Sequence, residues 1–277
     1  MTRLERITYL NRVLLEEMPQ YRMEAKDFPP DEPSQRRLLR SLMNVRLPKP
    51  LDADFIREQD ILLQEETHAK GIVQPAELPT VADETGKDLT PQGAPAKQLI
   101  LWQGDITRLA ADGIVKAANS ALLGCFAPCH ACIDNAIHSA AGLQLREACA
   151  HITEKQGHAE PTGTAKITPA FNLPSHYVLH TVGPIIAAGK IPTKDDASLL
   201  VSCYRSCLEL AAEHGLNSLA FCCISTGEFR YPRQDAAKIA AREVANWLTA
   251  TGIPMTVVFN VFKAEDAAVY RSILGME

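Results

Sequence analysis

Residues 125–138 read CFAPCHACIDNAIH and bring three thiols, two imidazoles and a carboxylate into one short stretch. Thiolates with imidazole are a zinc-type donor set, and four such ligands close a structural site. Cys125, Cys129, His130 and Cys132 supply four candidates, spaced C-x3-C-H-x-C, which is neither a zinc finger nor a zinc ribbon. Three of them, Cys125, His130 and Cys132, would instead leave one coordination position open for chemistry. The alternative is a turn with free cysteines and a surface histidine, and spacing alone does not choose the ligands. Asp134 and Asn135 follow at the mouth of a helix. Asp134 either caps that helix or points into a site. His138 lies one turn further in, where a packed or hydrogen-bonded role is the commoner one.

Other chemistry-bearing residues sit in short loops after apolar runs. Gly104 to Thr107 reads GDIT, and Asp105, next to Ile106, can accept from an exocyclic amine or cap the turn, with capping favoured. Asn119 can donate and accept, as a ribose hydroxyl requires, or close an Asx turn. Gly124 permits close backbone approach. Ser225, Thr226, Gly227, Glu228 and Phe229 follow another apolar run, and consecutive loop amides there can cradle a pyrophosphate. Phe229 can lie against a sugar or anchor its loop. His180 sits at the end of a strand, before Thr181 and Gly183, where the backbone can shape a pocket. No GxxxxGK[ST], GxGxxG or GxSxG motif is present.

These loops need elements to hold them. From residue 97 onward strand and helix patterns alternate. Strands are expected at 97–102, 113–118, 166–168, 177–181, 218–224 and 255–261. Helices are expected at 133–150, 197–214, 233–248 and 265–274. That is an α/β fold with a mainly parallel sheet, which binds ligands beyond the carboxyl ends of its strands. Before residue 72, Leu4, Ile7, Leu10, Leu14 and Met18 form one amphipathic stripe. Leu38 to Met43 suggests a second helix, and Asp52 to His68 a third, with Phe55, Ile56 and Leu62 or Leu63 inward and Gly71 as its stop. The expected organisation is a helical extension over 1–71, a linker or surface strap over 72–96, and the α/β domain over 97–277. The helices are expected to pack on that domain or lid its site.

Composition agrees with this division. The chain has 277 residues, 46% hydrophobic and 22% charged, so it is largely globular. Its formal charge of -5 argues against a nucleic-acid partner. Residues 1–96 carry 13 basic and 17 acidic groups, so -4 of that total lies outside the α/β segment. All eight cysteines fall after residue 124. No apolar run reaches membrane-spanning length, and the first residues lack a signal-peptide pattern, so a cytoplasmic location is expected.

Taken together, GDIT at Gly104, IVKAANSALLG at Ile114, IDNAIHSAAG at Ile133, TGTAKIT at Thr162, YVLHTVGP at Tyr177 and STGEFRYP at Ser225 resemble the macrodomain family. The likeness spans about residues 97–275. It implies a three-layer α/β/α fold with a mixed, mainly parallel sheet that binds ADP-ribose. Asp105 then matches the adenine-binding aspartate and Asn119 the distal-ribose asparagine. Ser225 to Phe229 match the diphosphate loop, with Phe229 beside the distal ribose. Where many macrodomains carry a glycine run, this chain has CFAPCHAC, similar to the zinc-containing microbial subgroup with an N-terminal helical extension. That resemblance implies zinc on Cys125, His130 and Cys132, with Cys129 an extra thiol and Asp134 at the position of a catalysis-linked aspartate. It also implies removal of ADP-ribose from modified proteins, among them a lipoyl carrier protein modified by a sirtuin-like transferase. A non-catalytic reader of ADP-ribosylated proteins and an O-acetyl-ADP-ribose deacetylase use the same pocket.

Overall fold

The computed structural model describes residues 1–276. Helix α1 (Arg3–Glu17) starts from a Thr2/Glu5 capping box and buries Ile7, Leu10 and Leu14. Helix α2 (Glu32–Val45) is capped by Asp31, with Pro33 in its first turn. Helix α3 (Ala53–Lys70) is capped by Asp52 and ends at Gly71, whose φ of 80° a side chain would resist. These helices share an apolar core that includes Phe55, Leu62 and Leu63, while Ile56 is only partly buried. Leu143, from the α/β segment, completes it. Gln59 fixes the junction: its Oε1 accepts from the Leu143 amide at 3.0 Å and its Nε2 donates to Gln144 at 2.6 Å.

Residues 72–96 run over the α/β segment. Val73 pairs with Leu109, and the short helix α4 (Val81–Thr85) buries Val81. Ala94 and Ala96 join the same core.

The α/β segment is built on six strands. They are β1 (Leu99–Gln103), β2 (Gly113–Ala118), β3 (Ala165–Pro169), β4 (Tyr177–Val182), β5 (Ser218–Phe221) and β6 (Thr256–Val261). Their order is β1-β6-β5-β2-β4-β3, and all pairs are parallel except β3 with β4. Helices α5 (Ile133–Ala141), α6 (Leu143–Gln156), α7 (Lys194–Glu213), α8 (Arg233–Thr251) and α9 (Ala264–Leu274) cover both faces, giving a three-layer α/β/α fold with a mixed, mainly parallel sheet. Central β2 reads GIVKAA and is buried almost throughout, as expected of a strand covered on both faces. No helix of the described residues is long and apolar enough to cross a membrane.

Two sequence expectations change. The helix expected over 133–150 is two helices, broken at Gly142. Gly142 adopts φ 96° and ψ 173°, outside the helical region, and a Cβ there would lie 2.7 Å from both Gln144 Oε1 and Gln59 Nε2. The strand expected over 218–224 stops at Phe221, because Cys222 to Ser225 already turn into the site loop.

Candidate active site

The parallel strands present their carboxyl ends at one edge of the sheet, and the polar loops follow from those ends. Across that edge the order is the β1 loop, then β6, then the β5 loop, then the β2 loop. Three strand spacings of ~4.8 Å separate β1 from β2, about 14 Å in all. Asp105 therefore stands far from Asn119, with Ser225–Phe229 between them.

Asp105 caps the turn after β1. One oxygen accepts from Thr107 N at 3.0 Å and Thr107 Oγ1 at 2.7 Å. The other stays half-exposed, 3.7 Å from Lys70 Nζ at the end of α3. Ile106 beside it is buried. Gly104 is required here, since a Cβ would fall 2.4 Å from the Trp102 ring.

Asn119 makes the Asx turn. Its Oδ1 accepts from Ala121 N at 3.1 Å, and Nδ2 donates to Gly124 O at 3.0 Å. The second Nδ2 hydrogen and a second Oδ1 lone pair are left over. This bond fixes the backbone next to Cys125.

In the β5 loop Ser225 is buried with φ 64°. It fits against Gly183, where any Cβ would lie 2.0 Å from Ser225 Oγ. Thr226 Oγ1 donates to Cys223 O at 3.0 Å, and Phe229 O accepts from Ile186 N at 2.8 Å. Gly227 and Glu228 are exposed, and nothing lies within 4 Å of a Gly227 Cβ. Among the described residues, the amides of Gly227, Glu228 and Phe229 have no protein acceptor. Such a row of amides suits an anion.

The donor atoms of Cys125, His130 and Cys132 all lie within 4.8 Å of one another, half-buried. Cys125 Sγ is 3.7 Å from His130 Nδ1, and the other ring nitrogen is 3.8 Å from Glu228 Oε1 in the β5 loop. Burial, with Cys125 beside it, pushes the Cys132 thiol up to about 11 against a lowering by the Asn135 amide. Two adjacent half-buried sulfurs resist joint ionisation, which a divalent cation would relieve. Two thiols and one imidazole at this spacing fit a soft divalent ion with one position left open. Cys129 is not in the group: its Sγ faces Ser41 Oγ of α2 at 3.3 Å.

Asp134 lies in the first turn of α5, only 6% exposed, with Lys116 Nζ 2.5 Å from its Oδ1. The cap of that helix is Cys132, whose sulfur accepts from Asn135 N. Lys116 Nζ also donates to His138 Nε2 at 3.0 Å. Burial and then the Lys116 charge hold His138 well below the usual histidine range, so it is a neutral acceptor. His180 is likewise buried and neutral, bonded to Thr168 Oγ1 at 2.8 Å, so its side chain packs inside the fold. Sequence reading passed over Lys116, which sits inside an apolar strand run. It also passed over Arg40, Ser41 and Asn44, which bear no motif.

Comparison with known proteins places the chain in a family. The macro domain family model matches residues 115–240. The chain is 51% identical to a protein-ADP-ribose hydrolase of Treponema medium over 99% of this chain and all of that protein. It is 44% identical to a protein-ADP-ribose hydrolase of Staphylococcus aureus over 87% of this chain and 85% of the other. A Trypanosoma brucei macrodomain solved with ADP-ribose aligns over 84% of this chain and 94% of its own, with 29% identity and a TM-score of 0.63. The Oceanobacillus iheyensis macrodomain solved with ADP aligns over 64% and 90%, with 38% identity and a TM-score of 0.58. The chain belongs to the macrodomain family. Within that family it is a hydrolase.

Proposed function

We propose that this chain is a zinc-dependent protein-ADP-ribose hydrolase that removes mono-ADP-ribose from modified side chains. The observation that carries the reading is the Cys125, His130 and Cys132 cluster, which directly follows the Asn119 turn and reaches the β5 loop through Glu228. The order of loops along the sheet edge matches the order of parts in ADP-ribose. The half-exposed Asp105 oxygen takes the adenine amine. The Gly227, Glu228 and Phe229 amides take the diphosphate, with Ser225 and Thr226 shaping the turn. The unused donor and acceptor of Asn119 take distal-ribose hydroxyls. The anomeric carbon then faces the cluster.

When bound there, zinc supplies Lewis acidity toward a water or a ribose oxygen. The chain's own contribution is orientation, which holds the ribose for an oxocarbenium-like cleavage. Asp134, fixed by Lys116, orients the groups around the reacting centre. A thiolate ligand set suits a reducing compartment such as the cytoplasm. The substrate is an ADP-ribosylated protein, and a lipoyl carrier protein modified by a sirtuin-like transferase is the candidate drawn from the family resemblance.

The test follows release of ADP-ribose from a mono-ADP-ribosylated protein, alongside metal content. Cys125→Ala and Cys132→Ala should lose bound zinc and lose turnover together, by on the order of 10²–10³-fold. Full turnover in a metal-free variant would overturn the zinc reading. Saturable binding without release would mark a reader. Faster acetate release from O-acetyl-ADP-ribose than protein demodification would mark a deacetylase.

A further inference from the structure

The loop that carries the metal-ligand candidates, residues 125–132, has neither helix nor strand to stiffen it. Cys129 even takes φ 54°, a conformation uncommon outside glycine. What holds the loop comes from α2 in the N-terminal extension. The Cys129 amide donates to Asn44 Oδ1 at 2.8 Å. Asn44 is 1% exposed, and its Nδ2 donates to Ser139 Oγ of α5 at 3.1 Å. One side chain thus joins the loop, α2 and the helix that follows the loop. Cys129 Sγ adds contacts to Ser41 Oγ at 3.3 Å and Arg37 O at 3.7 Å.

Arg40 makes the second tie. Its guanidinium donates to Asn135 Oδ1 at 2.8 Å and lies 3.5 Å from His130 O. Asn135 in turn donates from Nδ2 to Ala127 O at 3.0 Å. Behind the loop, buried Arg146 bridges Leu123 O to the Met43 and Arg46 carbonyls at the end of α2. Except for the Asn135–Ala127 and Arg146–Leu123 bonds, which lie within the α/β segment, these bonds cross from the extension to the ligand loop or to the α/β residues around it. Hydrogen-bonding partners that orient a ligand set in this way typically change metal affinity 10–100-fold when removed.

We propose that α2, through Asn44 and Arg40, is the positioning element of the metal site, and that Cys129 is an anchor of the ligand loop rather than a ligand. The proposal rests on the metal reading of Cys125, His130 and Cys132 given above. The extension is then part of the active-site machinery through the backbone of the loop, without touching substrate.

The experiment uses the full chain, stripped of metal and titrated with Zn²⁺ against a chromophoric chelator. Co²⁺ loading gives a parallel spectrum. Wild type should bind one zinc. Asn44→Ala and Arg40→Ala should each bind one zinc at 10–100-fold lower affinity, with far-UV circular dichroism and the metal-free unfolding midpoint confirming the fold. Cys129→Ser should keep the wild-type thiolate-to-cobalt charge-transfer intensity. Wild-type affinity in both folded α2 variants overturns the positioning role alone. Absence of zinc binding by wild type overturns the metal reading and this proposal with it. Loss of charge-transfer intensity in Cys129→Ser makes Cys129 a ligand and overturns the anchor role. If Asn44→Ala does not fold, half-buried Arg40 decides the matter by the same measurement.

Discussion

Lys116 is the one charged side chain of β2, fully buried between two strands, and it meets Asp134 and His138. A buried ammonium is tolerable only with partners, and the same holds for the carboxylate it faces. Lys116→Met should therefore cost about 3–5 kcal/mol, because Asp134 is left buried opposite a neutral imidazole. Guanidinium unfolding measures it, and the Lys116→Met/Asp134→Asn double variant should recover most of the loss. A single-variant loss under about 1 kcal/mol would mean that water replaces the ammonium. This pair also explains why the choice between cap and site for Asp134 could not be made from its neighbours in sequence. Its partner lies 18 residues upstream on another element.

Helices α5 and α6 show what element boundaries depend on. The apolar positions from Ile133 to Leu145 suit one helix, but Gly142 breaks it so that the first turn of α6 can receive Gln59 from α3. Gly142→Ala should destabilise by about 1–3 kcal/mol, since its left-handed φ and the crowding of Gln144 and Gln59 both oppose a Cβ. A lowered thermal midpoint with no loss of helical signal is the expected result, and an unchanged midpoint would refute it. The strands and most helices were legible because burial on both faces of a parallel sheet demands apolar runs, as in Ile114, Val115 and Val257–Phe259. The ligand trio was legible because its donors are close in sequence. Asn44 and Arg40 were not, because their effect depends on a junction some 90 residues distant that no local pattern records.

At the scale of the whole molecule, the buried histidines tie stability to pH. His138 and His180 are both held well below the ordinary range by burial and then by Lys116. The folded chain keeps them neutral, while the unfolded chain protonates them near the ordinary value of about 6.5. As pH falls below that value, the unfolded state binds protons the folded state refuses, so stability present above it is progressively lost. Each group adds about 1.4 kcal/mol per pH unit to the slope in that window. Urea midpoints should be flat from about pH 8 to 7 and fall below about 6.5, less steeply in His180→Gln. A midpoint that held constant down to about pH 5 would contradict the burial argument.

Among the described residues edge strand β1 pairs only with β6, so Leu99 waits for Val257. On the ribosome, at ~5–20 residues per second, those 158 residues take about 8–30 s to be made. For that interval the apolar Leu99–Trp102 segment has no strand to join, whereas the local contacts of α1, α2 and α3 are already available. The extension is thus able to fold before the α/β segment is complete. It sets α2 in place before the ligand loop it holds has been synthesised.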